Sequence, residues 1–354
     1  MFPYWFLFLL FATGALLETG APGAPSDRGQ RDPLILFAGL IIAAMIGFRY
    51  EVGGDWGAYQ HYFDFAALAS LDQVLGLPDP AYQLLNWIPQ QFGVGIWLTN
   101  LICGTIFTWG LVKLARTQPY PWLSMLVAIP YLVVVVAMGY SRQGVAIGIL
   151  MLGIVNYQAR QSVFRYALYV IVAALFHKTA VFGMLLLLFG SRRNRLTNFL
   201  MAIAAFALIY DLLLSSHIND LMQNYVTQNM SSQGAIIRVG MSIVPATIFL
   251  LYQDRLNFNE SEKNTWRNFS YATFIFLAAL FLSSGSTIID RLALYVLPLQ
   301  CVVLPRIGGT ILSRGFSKLL LIVYSGAVLF IWLTYSDYQV YWVPYHLYPF
   351  GQVA

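Results

Sequence analysis

Long apolar runs recur along the whole chain, and short polar stretches separate them. Within these runs the residues do not show the strict apolar-polar alternation of membrane β-strands. In a bilayer only helices and closed barrels satisfy every backbone hydrogen bond, so each run predicts a membrane helix. The predicted helices occupy residues 2–17, 33–48, 94–112, 122–139, 143–158, 165–176, 179–190, 197–214, 238–252, 269–283, 291–305 and 317–334.

Composition supports the same class of protein. Hydrophobic residues make up 59% of the 354 residues and charged residues only 10%, whereas soluble domains carry about 25% charged residues. We therefore expect an all-α polytopic integral membrane protein of about twelve helices, with one transmembrane domain over residues 1–354. The formal net charge of +5 is no signal for nucleic acid in such a chain.

The first apolar run and the two cysteines lead to two further predictions. Residues 2–17 lack the basic start of a signal peptide, so a retained first helix is favoured, although residues 20–24 resemble a cleavage site. Cys103 and Cys301 fall inside apolar runs, and we expect buried thiols without a disulfide.

The distribution of basic residues predicts the orientation of the chain. Residues 165–190 form either two short helices that meet at His177 or one long helix with a charged middle. The pair is favoured, because fifteen of the twenty Lys and Arg residues then lie on one side, which the positive-inside rule makes cytoplasmic. These are Arg28, Arg31, Lys113, Arg116, Arg160, Arg165, Arg192, Arg193, Arg195, Arg255, Lys263, Arg267, Arg306, Arg314 and Lys318. Both termini are then expected on the outer side.

Three outer segments follow from this topology. Residues 49–93 form a loop in which residues 81–88 have the pattern of an interfacial amphipathic helix. Residues 215–237 form a second outer loop, and long ordered loops are usually functional. Residues 335–354 form an aromatic tail, which is either an interfacial aromatic belt or a surface that stacks on sugars.

The remaining five basic residues all lie at outer helix ends. They are Arg49, Arg142, Lys178, Arg238 and Arg291. One interpretation is snorkelling, in which long basic side chains reach from helix ends to the interface. The alternative is an anion site, favoured because five cations gather in otherwise acidic outer surroundings.

Residues 48–63 contain the densest polar pattern of the chain. Arg49, Glu51 and Asp55 lie among three glycines and several aromatic residues, directly after a charge-free apolar run. Glycine lets the backbone turn close to a ligand. We interpret this stretch as the rim of an active site where a membrane helix meets water.

Five motifs in a fixed order point to a family. The pattern Arg-x-x-x-Gly-x-Asp-x-x-x-Tyr is present as Arg49, Gly53, Asp55 and Tyr59. The other four are Tyr140-Ser141-Arg142-Gln143-Gly144-Val145-Ala146, Phe176-His177-Lys178-Thr179-Ala180, Asp290-Arg291 with Tyr295, and Trp342-Val343-Pro344-Tyr345. In these motifs the chain resembles the EpsG-type branch of the Wzy-like bacterial polysaccharide polymerases.

The resemblance implies a fold, an activity and partners. It implies a GT-C-like helical glycosyltransferase in the bacterial inner (plasma) membrane, with its active site facing the periplasm. Its donor and acceptor would be undecaprenyl-diphosphate-linked oligosaccharides, and flippase and chain-length regulator proteins would be further partners. The process would be capsule, exopolysaccharide or O-antigen biosynthesis.

Transfer from a sugar-diphosphate-lipid needs cations for the departing diphosphate, because negative charge grows on it as the glycosidic bond breaks. Arginine suits this role, since its planar fork pairs with phosphate oxygens. The candidates are Arg142, Arg238 and Arg291, followed by Arg49 and Lys178. The chain has no Asp-x-Asp motif and no metal-ligand spacing of histidines, so we expect neither a metal nor another cofactor.

The reaction also needs a base for the attacking hydroxyl. Asp55 is the first candidate, and the alternative is that it is a turn residue or a partner of Arg49. His177 is the rival, although a histidine between apolar helices is often structural. Asp290 is expected to hold Arg291 in place. Tyr59, Tyr140 and Tyr295 orient sugar or phosphate, or anchor helix ends.

The leading hypothesis is an inverting, metal-independent polysaccharide polymerase. A lipid-linked oligosaccharide flippase is the alternative from another class, but transporters place polar groups near the midplane between related halves. This chain shows no matching halves, and its outer charges gather at one face. An O-antigen ligase or another GT-C transferase would share the site chemistry and differ in the acceptor.

Overall fold

The computed structural model describes residues 1–19, 32–187, 235–282 and 286–350, with isolated positions at 200, 203, 204 and 207. In these ranges the chain is overwhelmingly α-helical, and the all-α prediction is confirmed. The predicted loop 215–237 lies outside the described residues except for the start of a helix, and the predicted helix 197–214 lies almost entirely outside them.

The first half of the chain forms helices joined by short turns, with one β-strand after the second helix. Its elements are α1 (Phe2–Leu17), α2 (Pro33–Gly47), β1 (Arg49–Tyr50), α3 (Trp56–Leu68), α4 (Leu71–Leu75), α5 (Pro80–Gln91), α6 (Ile96–Arg116), α7 (Pro121–Ala128), α8 (Ser141–Arg160) and α9 (Val163–Phe176). Helix α7 continues as a π-helical stretch, Ile129–Ala137. A 3-10 helix, Lys178–Leu187, follows α9.

The second half is more broken. Its elements are α10 (Ala235–Tyr252), α11 (Glu260–Leu282), α12 (Ser286–Ala293), a 3-10 turn (Leu294–Val296), α13 (Pro298–Val303), a 3-10 turn (Leu304–Ile307), α14 (Arg314–Tyr335), a 3-10 turn (Gln339–Tyr341) and β2 (His346–Leu347). Strand β2 pairs antiparallel with β1.

Several predicted helices have the expected places. The interruption at His177 is confirmed, since α9 ends there and a separate helix follows, although that helix is 3-10 rather than α. The predicted interfacial helix at 81–88 lies within α5. Cys103 and Cys301 are buried free thiols, as expected.

Three predicted segments need correction. Helix 269–283 begins earlier, at Glu260, because Asn259 and Glu262 exchange two side chain–backbone hydrogen bonds of 2.9 Å that cap its start. The single helix 291–305 is instead four short segments, and prolines open two of them. Proline lacks the N–H that would continue the preceding helix. Residues 49–93 contain three helices rather than one.

Two described helices are long and apolar enough to cross a membrane, Ile96–Arg116 and Arg314–Tyr335. Five shorter apolar helices accompany them: Phe2–Leu17, Pro33–Gly47, Pro121–Ala137, Val163–Phe176 and Arg238–Tyr252. The total of twelve spans stays a prediction.

The core surrounds α7 and its π-helical extension. Every residue from Ile129 to Ala137 is buried, which is the pattern of a helix enclosed on all sides. Helices α1, α6 and α14 pack against this element, and α6 in turn packs against α2 and α8.

The aromatic tail returns to the core as a clasp, residues 341–348. The buried Trp342 donates its indole N–H to the Val134 carbonyl at 2.7 Å, and a Cβ on Gly139 would lie 2.6 Å from its ring. Trp342 is thus a core residue and neither of the two predicted roles fits it. Tyr335, Tyr338 and Tyr341 are 71%, 49% and 49% exposed, and the belt and sugar-stacking interpretations stay predictions for these three.

Candidate active site at one end of the helical bundle

The polar residues singled out in the sequence gather at one end of the bundle, which we call the site face. This face contains the starts of α3, α5 and α8, the junction after α9, and the broken segment at α12. Each contributes at least one ionisable side chain, which lies at or next to the end of a helix. The ionisable residues are Asp55, Asp79, Arg142, His177, Lys178, Asp290 and Arg291.

Asp79 is the centre of the first half of this site. It lies at the start of α5 and is only 4% exposed. One carboxylate oxygen lies 2.9 Å from Arg142 Nη1 and 3.6 Å from His177 Nδ1. The other accepts the backbone N–H of Lys178 at 2.9 Å. Three separate segments of the chain are therefore held together by one carboxylate.

The charges of this half follow from burial and from the neighbours. Burial raises the pKa of Asp79, but the contact with His177, the positive charge of Arg142 and the hydrogen bond from the Lys178 backbone N–H outweigh it, so the pKa is lowered. Burial lowers the pKa of His177, and Asp79 restores only part of that shift. Near neutral pH the site thus pairs an ionised carboxylate with a neutral imidazole.

Arg142 is held by rings as well as by its carboxylate. Its guanidinium carbon lies 5.8 Å from the Tyr59 ring and 5.0 Å from the Tyr62 ring, distances at which a cation is attracted to an aromatic face. Burial raises the pKa of Tyr59 to about 12, so its hydroxyl keeps its proton. The Arg142 side chain is still 23% exposed, which leaves it accessible to a ligand.

Arg291 forms the second half of the site. Its guanidinium carbon lies 4.2 Å from the Tyr140 ring, and Nη2 lies 3.8 Å from Asp55 Oδ2. The Arg291 and Asp55 side chains are 24% and 32% exposed. The predicted pairing of Asp55 with Arg49 is therefore wrong, because Asp55 faces Arg291 instead.

Two further predicted residues extend the second half into the protein. Arg238 Nε lies 2.7 Å from Asp290 Oδ1. Asp290 therefore forms an ion pair with the cation at the start of α10. That it also holds Arg291 in place stays a prediction. Tyr295 is buried, and its hydroxyl lies 2.9 Å from Thr179 Oγ1.

Arg49 lies apart from these groups. It is 1% exposed, and its guanidinium donates to the Ile46 and Val52 carbonyls, to Asn100 and to Ser141. The snorkelling interpretation is wrong for Arg49, since the head group points into the protein. The guanidinium N–H groups of Arg49 are thus hydrogen-bonded to protein acceptors, whereas a substrate would need them as donors.

Sequence reasoning missed the central role of Asp79, which was not among the predicted site residues. The signal was present, because Asp79 precedes Pro80, and proline at the first helical position marks a helix start. A carboxylate at that point is fixed in space, but the sequence does not show that Arg142 and His177 meet it. Among the described residues, no three His, Cys, Asp or Glu side chains are grouped as a metal ion would require.

Comparison with known proteins gives one match. No curated protein and no solved structure matches the chain. A sequence model described as the EpsG family matches residues 33–347, a range that contains every motif identified above. The chain therefore belongs to the EpsG family.

Proposed function

We propose that the protein is a polysaccharide polymerase that moves a growing glycan from undecaprenyl diphosphate onto the next lipid-linked repeat unit. Membership in the EpsG family indicates a role in polysaccharide polymerisation. The family and the two membrane-length helices indicate a membrane protein. The proposal adds about twelve spans, a GT-C-like fold and a periplasmic site face in the bacterial inner membrane, serving capsule, exopolysaccharide or O-antigen synthesis.

The observation that carries the proposal is the pair of partly exposed arginines, Arg142 and Arg291. Each is oriented by a carboxylate and by an aromatic ring, and each keeps about a quarter of its side chain exposed. Held in this way, a guanidinium is pre-organised for charge that develops during a reaction. Two such cations suit a leaving diphosphate.

The proposed step is a single displacement. The acceptor hydroxyl attacks the anomeric carbon, and the bond between that carbon and the diphosphate oxygen breaks. The electron pair leaves with the lipid diphosphate, whose charge is stabilised by Arg291 and Arg142. The hydroxyl proton passes to a base, and the configuration at the anomeric carbon inverts.

Two residues compete for the role of base. Asp55 is partly exposed beside Arg291, and the neutral His177 imidazole is oriented through Nδ1 by Asp79. Removal of the true base slows proton-dependent steps about 100-fold or more. We expect Asp55→Asn and His177→Gln to differ by at least tenfold in initial rate, and the slower variant identifies the base.

The experiment uses purified full-length protein in lipid with its lipid-linked repeat unit, in the presence of EDTA. The expected result is a ladder of polymer products that Arg291→Ala abolishes. Arg255→Ala, which removes an exposed arginine in the turn after α10, is the matched control and keeps the ladder. The ladder tests metal independence as well, because EDTA removes divalent cations.

Two outcomes contradict the proposal. A normal ladder from both Arg142→Ala and Arg291→Ala would mean that the arginine pair does not take part in transfer. Movement of the unaltered lipid between leaflets, without any ladder, would identify a flippase and leave the arginines an anchoring role.

A further inference from the structure

A set of buried polar side chains lies beneath the two halves of the candidate site. Gln143, in the first turn of α8, donates its amide Nε2–H to the Arg291 carbonyl at 2.5 Å. The same side chain lies beside the Tyr295 hydroxyl. That hydroxyl in turn lies 2.9 Å from Thr179 Oγ1. We call Gln143, Tyr295 and Thr179 together the polar strut.

The polar strut connects the two halves of the site. At one end it holds the backbone of Arg291. At the other end Thr179 directly follows Lys178, whose backbone N–H donates to Asp79 at 2.9 Å. Asp79 also forms the ion pair with Arg142. The distance between the two partly exposed arginines therefore depends on segments that the polar strut joins.

The side chains of the polar strut are too deeply buried to meet a substrate. Gln143, Tyr295 and Thr179 are each at most 8% exposed, whereas the Arg291 side chain is 24% exposed. A role exerted through a neighbouring residue fits the three better than direct contact with a sugar or a phosphate. The neighbour that reaches the site face is Arg291.

The position of Arg291 in its helix explains why its carbonyl needs a donor. Arg291 lies in the last turn of α12, where backbone carbonyls lack partners within the helix. Gln143 supplies a donor from outside. Tyr140, three residues before Gln143, places its ring 4.2 Å from the Arg291 guanidinium carbon. The region around the start of α8 thus contacts Arg291 at both its backbone and its head group.

We infer that Gln143 is a positioning residue, which orients Arg291 toward the leaving group through its hydrogen bond to the Arg291 carbonyl. This inference rests on the proposed function, in which Arg291 stabilises the departing diphosphate. A group that stabilises developing charge must be held within about 0.5 Å of its productive position. A buried polar group is costly to leave unpaired, so the hydrogen bond to Gln143 restrains the backbone from which the guanidinium extends.

The first test measures initial polymerisation rates over a range of repeat-unit concentrations, with purified full-length protein in lipid. Gln143→Met keeps the length and nearly the volume of the side chain but removes the N–H donor. We expect kcat to fall about tenfold, because a small misplacement of a catalytic group has a large effect on rate. Thermal unfolding checks that the variant is folded.

Gln158→Met is the matched control for Gln143→Met. It makes the same substitution in the same helix, at the end away from the site face. The Gln158 amide nitrogen has no acceptor among the residues that the structure describes, so the substitution removes no such bond. We expect wild-type kcat from this variant, and equal kcat values for the two variants would overturn the inference.

The second test separates positioning from general support of the fold. Arg291→Lys keeps the charge but loses the planar fork, so the orientation that Gln143 sets matters less. We expect Gln143→Met to lower kcat about tenfold in wild type but less than about threefold in the Arg291→Lys background. A purely structural residue would cost the same factor in both backgrounds, and that result would overturn the inference.

Tyr295→Phe tests the next contact of the polar strut and keeps the inference falsifiable if Gln143→Met does not fold. The substitution removes only the hydroxyl that lies between Gln143 and Thr179. We expect kcat to fall about threefold in wild type, which corresponds to about 0.7 kcal/mol in activation free energy. A folded Tyr295→Phe protein with wild-type kcat would contradict the polar strut.

Binding of inorganic pyrophosphate, measured by calorimetry, distinguishes failure of this inference from failure of the proposed function. Suppose that wild type binds pyrophosphate more tightly than Gln143→Met and Arg291→Lys do, but never forms a polymer ladder. That result would overturn the transfer function and support the positioning of Arg291 by Gln143. A normal ladder from wild type and Gln143→Met alike would overturn the positioning role alone.

Discussion

Two pairs of arginines in this protein have opposite surroundings. Arg49 and Arg306 are 1% and 5% exposed. Arg306 lies at the end of the bundle opposite the site face, where it donates to Gln118, the Asn257 carbonyl and Glu262 at 3.0–3.1 Å. Arg142 and Arg291 each keep about a quarter of the side chain exposed and rest against a carboxylate and a ring.

The difference separates arginines that stabilise the fold from arginines prepared for a ligand. A buried guanidinium whose donors are met by protein acceptors joins segments, and its loss leaves those acceptors unpaired. A guanidinium held on one side only keeps donors that a phosphate can reach. Substitution of a buried arginine should therefore mainly lower stability, whereas substitution of a partly exposed arginine should mainly lower the reaction rate.

The largest effect is expected from Arg49→Ala. The change leaves Asn100, Ser141 and two carbonyls without their donor, and we expect the free energy of unfolding to fall by about 4 kcal/mol. Thermal unfolding in detergent measures this, with the exposed Arg255→Ala as control. A change in activity without a loss of stability would place Arg49 with the site arginines and break the comparison.

The next largest effect is expected from Arg142→Ala. We expect the initial polymerisation rate to fall about 100-fold, or about 2.7 kcal/mol in activation free energy, because a cation for the developing charge is lost. The melting temperature should fall less than that of Arg49→Ala, since Arg142 is partly exposed and Asp79 keeps the backbone N–H of Lys178 and the contact with His177. A large drop in stability with an unchanged rate would show that Arg142 belongs with Arg49.

A smaller effect is expected from Gly53→Ala. Gly53 has φ of +110°, and a Cβ there would lie 2.6 Å from the Met138 carbonyl oxygen. The turn also presents the Val52 carbonyl to Arg49 at 3.2 Å, so the change strains the acceptor of a buried arginine. We expect a loss of about 2 kcal/mol in unfolding free energy.

Gly54→Ala is the control for that change. Its Cβ would meet nothing within 4 Å, so the stability should stay within about 0.5 kcal/mol of wild type. Equal losses from the two substitutions would show that the turn is not the constraint on Arg49.

The smallest effect is expected from Asp79→Asn, and it depends on pH. Since the pKa of Asp79 is lowered in the folded protein, its stabilising contribution is present above the unfolded carboxyl pKa and is lost as pH falls through the folded value. Wild-type stability should thus fall more steeply below about pH 4 than that of Asp79→Asn. Denaturant titrations at pH 7 and at acid pH measure the slopes, with the exposed Asp72→Asn as control.

If the stability of wild type and of Asp79→Asn fell equally steeply with decreasing pH, the ionised state assigned to Asp79 would be contradicted. It would also remove the reason for treating His177 as a neutral imidazole beside a carboxylate.

The helices were predictable from the sequence where the apolar or amphipathic pattern and the polar residues that flank it indicate the same boundaries. The interruption at His177 followed from charge distribution alone, and α5 followed from its amphipathic pattern. The prediction of a single helix over residues 291–305 was wrong because the hydrophobic run is continuous there, whereas Pro298 and Pro305 interrupt the helical hydrogen bonding. A hydropathy pattern indicates which residues are buried. Whether a helix continues also depends on the backbone N–H groups, which proline lacks.

The site was predictable in its membership but not in its pairing. Arg49 and Arg142 both follow or open an apolar helix and are indistinguishable in the sequence, yet one is enclosed and the other is partly exposed. The difference arises from residues far away in the chain, such as Asn100 for Arg49 and Asp79 for Arg142. A single sequence does not show which distant residues meet.

The clasp has a consequence for the order in which the protein is made. All the site residues from Asp55 to Arg291 are synthesised before the clasp, but the Gly53 N–H bonds the Tyr341 carbonyl at 2.8 Å and Arg49 pairs with Leu347 across the two strands. Until the ribosome has released that segment, the rim of the site lacks its closing strand. A half-made chain in the membrane would thus hold the reactive side chains without the support that sets their geometry, and activity would begin only once translation has passed the clasp.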